Sequence, residues 1–199
     1  MDHFRAAVFC HGFNVGDGGT GSVDKLKPYF KNLGYDIYDF DYHWVFLLGV
    51  RFFNSFFAKR MVQLTKNLRQ NLYTEIVICG HSNGCAISWR AAKMGAYIDK
   101  LVLINPALNN DVDFPKQIKK IHVWFSPSDP YVKLARWLIF HTWGNCGSTG
   151  WKGKPDSRVT NFNKEEDFEV ISKTHSDVFS DEKIKYFGPI IAQKITEDN

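Results

Sequence analysis

Short apolar runs alternate with longer stretches of helical periodicity along the chain. Phe4–Cys10, Glu75–Cys79, Lys100–Ile104 and Ile121–Phe125 are each nearly all apolar after a leading residue or two. Runs of this length read as strands buried on both faces. Tyr35–Tyr42 instead alternates apolar and acidic residues, as a strand on the edge side of a sheet does. Between the runs, Val23–Asn32 sets Leu26, Tyr29, Phe30 and Leu33 on one side, and Gly34 supplies a helix stop. Phe52–Leu72, Ser82–Tyr97, Val132–His141 and Asp181–Thr196 read as further helices, and Arg158–Phe162 as a last short strand. Strands separated by helices predict parallel β-α-β units with helices on both faces. The expected fold class is α/β: a three-layer sandwich with a mostly parallel sheet of about five or six strands. The 199 residues suit one domain spanning residues 1–199.

Composition narrows the function. The net charge is only +4, and the short basic stretches 25–31 and 116–120 read as solvated faces, so nucleic acid is an unexpected partner. The four cysteines include no C-x-x-C pair and have no disulfide-framework spacing. They are expected to be buried, reduced thiols, and neither a metal site nor a cofactor is expected. Met1 leads directly into the first strand with no signal-peptide pattern. Trp44–Ala58 is too short and, with Arg51 and Asn54, too polar to span a bilayer. A cytoplasmic protein without stable membrane insertion is the expectation. Aromatic residues reach 16%, including 17 Phe, which suits thick packing and an apolar binding surface.

The candidate chemistry begins at Gly80-His81-Ser82-Asn83-Gly84, set between the apolar run 75–79 and a helical stretch. This is G-x-S-x-G in strand–turn–helix context, a turn that lifts a serine hydroxyl clear of a sheet. A hydroxyl is a weak nucleophile and needs a base and N–H donors close by. Asp129 follows the run 121–125 in the turn-rich segment Ser126-Pro127-Ser128-Asp129-Pro130, past the C-terminal end of a strand. Alone it would read as a helix cap. Of the seven histidines, His175 lies late in the chain in a loop, Lys173-Thr174-His175-Ser176-Asp177, whereas His122 sits in mid-strand and His141 follows Asp129 closely. Asp177 is a rival acid. The first strand ends in Cys10-His11-Gly12-Phe13-Asn14, a His-Gly step that can turn the next backbone N–H towards the serine. The loop Gly16–Gly21 lacks both the P-loop ending and the G-x-G-x-x-G spacing.

These motifs, with Leu103-Ile104-Asn105-Pro106-Ala107, resemble the α/β-hydrolase superfamily in a compact form, over Phe4 to about Phe187. The resemblance implies a cap-less sheet without the family's first two strands, ordered 2-1-3-4-5 with a sixth strand at the edge. It implies an esterase- or lipase-like serine hydrolase with Ser82 as nucleophile, His175 as base and Asp129 orienting the base. Backbone N–H groups of Phe13 and Asn83 would form the oxyanion hole. His11, Asn14 and His81, with Trp44, Phe46 and Leu47, are the candidate contacts for a small acyl substrate. Trp44–Phe57 is either a helix buried against the sheet or a wall over Ser82, with Phe52, Phe53, Phe56 and Phe57 on one helical face. The same triad serves thioesterases, amidases and acyltransferases, and a binding protein that kept the fold is a further reading. The sequence carries no signal for the oligomeric state.

Overall fold

The computed structural model describes residues 4–12, 18–42, 50–131 and 144–197. Its centre is a six-stranded sheet: β1 (Arg5–Cys10), β2 (Asp36–Phe40), β3 (Glu75–His81), β4 (Lys100–Ile104), β5 (Lys120–Phe125) and β6 (Val159–Asn163). The spatial order is β2-β1-β3-β4-β5-β6, and every neighbouring pair is parallel. Parallel strands must be joined by crossovers, and helices supply the first three of them. α1 (Lys27–Asn32, entered through a 3₁₀ turn at Val23–Leu26) lies between β1 and β2, α2 (Val50–Gln70) between β2 and β3, and α3 (Asn83–Lys93) between β3 and β4; residues 105–119 join β4 to β5 without a helix, a single helical turn at Cys146–Thr149 precedes β6, and α4 (Ile184–Thr196) follows it. The segment 132–141, expected to be helical, lies outside the described residues.

The apolar runs behave as their lack of alternation requires. β1, β3, β4 and β5 are central and almost wholly buried, whereas β2 and β6 are the edges and are partly exposed. Successive side chains leave a strand on opposite faces, so each central strand feeds two cores. Ala6, Val8, Cys10, Ile76, Ile78, Leu101, Leu103, Ile121 and Val123 pack on the side of α2 and α3. Ala7, Phe9, Val77, Cys79, Val102, Ile104 and Trp124 pack on the opposite side, with α1 and α4. The result is a three-layer α/β sandwich. Cys10, Cys79, Cys85 and Cys146 are buried free thiols. Burial pushes all of them up, Cys146 to about 12, so they stay protonated.

The aromatic face of α2 is only partly covered. The helix's buried stripe runs Asn54, Phe57 or its neighbour Ala58, Met61, Thr65 and Leu68, spaced by three or four residues. Phe57 belongs to that stripe, but Phe53 and Phe56 are more than half exposed. The rings of Phe53 and Phe56 both pack against that of Phe57 (centroids 6.5 and 5.6 Å apart), so these aromatic residues share a face that is covered along one border only. Among the described residues no helix is long and apolar enough to cross a membrane.

Candidate active site

Because all strands run the same way, their C-terminal ends meet along one edge, where open α/β sheets gather their reactive groups. Ser82 follows β3 directly. Its backbone has φ 53° and ψ −117°, a conformation that side chains rarely adopt. Neighbours hold that turn on both sides. The Ser82 N–H donates to the Ile104 carbonyl (3.0 Å), and the Ser82 carbonyl accepts from the N–H groups of Cys85 and Ala107 (both 3.1 Å). The two glycines of the motif are explained by close backbone approach. A Cβ on Gly80 would lie 2.9 Å from the Cys85 nitrogen, and one on Gly84 would lie 2.2 Å from the Cys10 carbonyl oxygen. Gly12 packs against the serine itself, since a Cβ there would sit 3.2 Å from Ser82 Cβ. The chain leaving β1 thus runs alongside Ser82.

Asp129 is fully buried beyond β5. Its Oδ2 is 2.7 Å from His175 Nδ1 and accepts a hydrogen bond from Asn105 Nδ2 at 2.7 Å; its Oδ1 accepts from the Tyr131 N–H at 2.9 Å. A carboxylate oxygen can only accept, so Nδ1 carries the proton and Nε2 of a neutral His175 ring is left with its lone pair. The His175 side chain is 16% exposed, so one edge of the ring is open to solvent. Asp177, the rival acid, is occupied elsewhere: its Oδ2 accepts from Lys183 Nζ and the Lys173 N–H. Among the described residues no hydrogen bond joins Ser82 Oγ to His175. Such bonds are often long in substrate-free sites and tighten on binding.

His81 and His11 are buried supports. His81 Nε2–H donates to the His175 carbonyl (3.0 Å), and its ring lies 4.8 Å from that of His175 and edge-on to Phe179. Burial, with the charges of His175 and Lys164 beside it, holds His81 well below the usual imidazole range. His11 lies within hydrogen-bonding distance of the Gly12 carbonyl (2.8 Å) and Asp41 Oδ1 (3.0 Å), and it stacks on Tyr42. Both nitrogens of His11 and Nε2 of His81 thus face protein groups, whereas His81 Nδ1 is buried without a hydrogen-bond partner among the described residues. Asn83 opens α3, where backbone N–H groups have no partner within the helix. Its side chain forms a reciprocal amide pair with Asn54 of α2 (2.9 and 3.1 Å) and donates to the Tyr42 hydroxyl (3.3 Å). Phe13, Asn14, Trp44, Phe46 and Leu47 lie outside the described residues.

Four residues near the site were given no role from sequence. Tyr42 and Asn54 hold Asn83. Asn105 was singled out as part of a motif, and it bonds the acid. Lys164, the residue after β6, is fully buried and donates to Asn105 Oδ1. Consecutive strands β3 to β6 therefore deliver Ser82, Asn105, Asp129 and Lys164 to one edge.

No protein-family model and no curated protein matches the sequence. Solved structures do resemble the fold across almost its whole length. A Xanthomonas campestris pv. campestris protein assigned to the α/β-hydrolase superfamily matches at 13% identity with a TM-score of 0.59, covering 96% of this chain and 98% of that one. The Pyrococcus furiosus esterase Pf2001 matches at 13% identity and TM-score 0.62, over 97% and 81%. The mature Bacillus licheniformis lipase BlEst2 matches at 11% identity and TM-score 0.58, over 96% and 93%. At these identities the likeness is one of architecture: the chain has the fold of the α/β hydrolases.

Proposed function

We propose that the protein is a serine hydrolase that cleaves acyl esters. The observation that carries this reading is the buried Asp129 carboxylate bonded to His175 Nδ1, on the same sheet edge as a serine in a strained strand-to-helix turn. Ser82 Oγ attacks the acyl carbonyl while His175 Nε2 takes its proton. Asp129 keeps the proton of the neutral ring on Nδ1 and stabilises the imidazolium that forms. The Asn83 N–H at the start of α3, with the Phe13 N–H, binds the negative oxygen of the tetrahedral intermediate. His175 then returns the proton to the leaving alcohol, and water attacks the acyl-enzyme by the same route in reverse. That two structural neighbours are named an esterase and a lipase favours an ester over an amide substrate. Release of nitrophenol from a series of nitrophenyl esters tests the reading. Hydrolysis by the wild type that disappears in Ser82→Ala supports it; hydrolysis that persists in that variant rejects it.

A further inference from the structure

The buried Lys164 has no part in the reaction just described, yet it ends two hydrogen bonds from the acid. Its Nζ donates to Asn105 Oδ1; Asn105 Nδ2 donates to Asp129 Oδ2 at 2.7 Å; that same oxygen lies 2.7 Å from His175 Nδ1. Lysine is almost never fully buried unless it is paired, because taking an ammonium out of water costs several kcal/mol. A cation placed here at that cost calls for an explanation. The backbone makes the placement firm. The Lys164 N–H donates to the Phe125 carbonyl (2.9 Å), and its carbonyl accepts from the Ser172 N–H (3.0 Å). The Ser126 hydroxyl donates to the Ser172 carbonyl (2.7 Å), so the strand ends that carry Asp129 and Lys164 are tied to the loop that carries His175. Asn105 is itself constrained, with φ 43° and its N–H donating to the Trp124 carbonyl at 2.8 Å.

We propose that Lys164 is a positioning residue for the catalytic acid: it locks the Asn105 amide so that its NH₂ faces Asp129, and its charge supports the Asp129 carboxylate in a site closed to water. An amide can turn over, and the turned form would set its carbonyl oxygen against a carboxylate. A donor on Oδ1 favours one orientation only. The charge acts across the amide in a low-dielectric interior, where it is poorly screened. Asp129, Asp177 and Glu165 face Lys164 as anions and Lys183 as a cation, with His81 close by. Burial outweighs the anions and pulls the ammonium down to about 7, so its charge is lost as pH rises past neutrality. The support given to Asp129 weakens in the same range.

This role rests on Ser82 and His175 acting as proposed above, and the test separates the two. The rate of fluorophosphonate labelling is measured from about pH 6 to about pH 9 in wild type, Ser82→Ala and Lys164→Met, together with the melting temperature of each. Lys164→Met keeps the length of the side chain and removes the charge. Its labelling at neutral pH is expected to be about 10- to 100-fold slower, the scale of a small misplacement in a catalytic group. Its melting temperature is expected to be equal or higher, since apolar replacement of a buried ion is often stabilising. The gap from wild type should narrow as pH rises and the wild-type lysine itself loses its proton. A merely structural lysine predicts slower labelling and lower stability together, with the same ratio at every pH. That result, or wild-type labelling in Lys164→Met, overturns the proposal while leaving the Ser82 reading intact. A wild type that takes no label overturns both. Should Lys164→Met fail to fold, Lys164→Gln carries the same comparison, with a smaller loss because its amide still donates to Asn105.

Discussion

At the scale of residues, the site divides by what a side chain must do. Ser82 shows itself in sequence because a strained turn demands glycines at fixed offsets. Asp129 and His175 show themselves through their places, after a strand and in a late loop. Lys164 does not. It stands in Asn163-Lys164-Glu165-Glu166-Asp167, which reads as a solvated charge run, and only the pairing of β6 with β5 carries it inside. The two candidate acids give a direct contrast. Asp129→Asn is expected to lower kcat by about 10⁴, because the amide favours the wrong tautomer of His175. Asp177→Asn is expected to change kcat little and to reduce stability slightly, since Asp177 pairs with Lys183 away from the imidazole. Steady-state kinetics on one ester decides between them, and a larger loss at Asp177 would reassign the acid. Ser82→Ala combined with His175→Ala should be hardly slower than either alone, as expected for groups that act as a unit.

At the scale of elements, continuous apolarity told the central strands from the edge strands, while their order came from the family resemblance and not from the pattern itself. Ends were less legible. The helix expected to run to Tyr97 stops at Lys93, followed by Met94 and then by Gly95 at φ 89°. How far the aromatic face of α2 is covered was not legible, because hydrophobicity alone does not say which aromatics are buried; Asn54, a polar residue, belongs to the buried stripe through its bond to Asn83. Two expectations follow. Gly84→Ala should cost about 1–3 kcal/mol or more, measured by denaturant unfolding, since its Cβ would collide with the Cys10 carbonyl. The exposed Phe53 and Phe56 lie beside Asn54, on the turn of α2 that reaches the start of α3. If they line the acyl path, each added methylene gains about 0.8 kcal/mol of binding until the path is full. Phe53→Ser with Phe56→Ser should then flatten the chain-length trend in kcat/KM and spare the shortest ester. An unchanged trend would remove these side chains from the path.

At the scale of the whole molecule, titration couples folding to pH. His122 is buried in β5 against Phe162, and burial, with Lys120, Lys194 and Lys100, pulls it down to about 3. The unfolded chain takes up that proton near pH ~6.5 and the folded chain only near 3. Between those values the unfolded state binds more protons, so stability falls as pH falls through the window. His81 acts in the same direction. Melting temperature should therefore drop steadily below pH ~6.5, and His122→Phe should make the drop shallower. An identical slope in that variant would show that His122 is already solvated in the folded state. Activity has its own limit on the acid side, because the base works only as a neutral imidazole.

The central claim is that Ser82 is a nucleophile activated by its neighbours on the C-terminal edge of the sheet. Mass spectrometry of the protein after reaction with a fluorophosphonate tests this most directly. One adduct per chain, located on the peptide that contains Ser82 and absent from Ser82→Ala and His175→Ala, is the expected result. An adduct on another residue, or labelling that survives in Ser82→Ala, would contradict it.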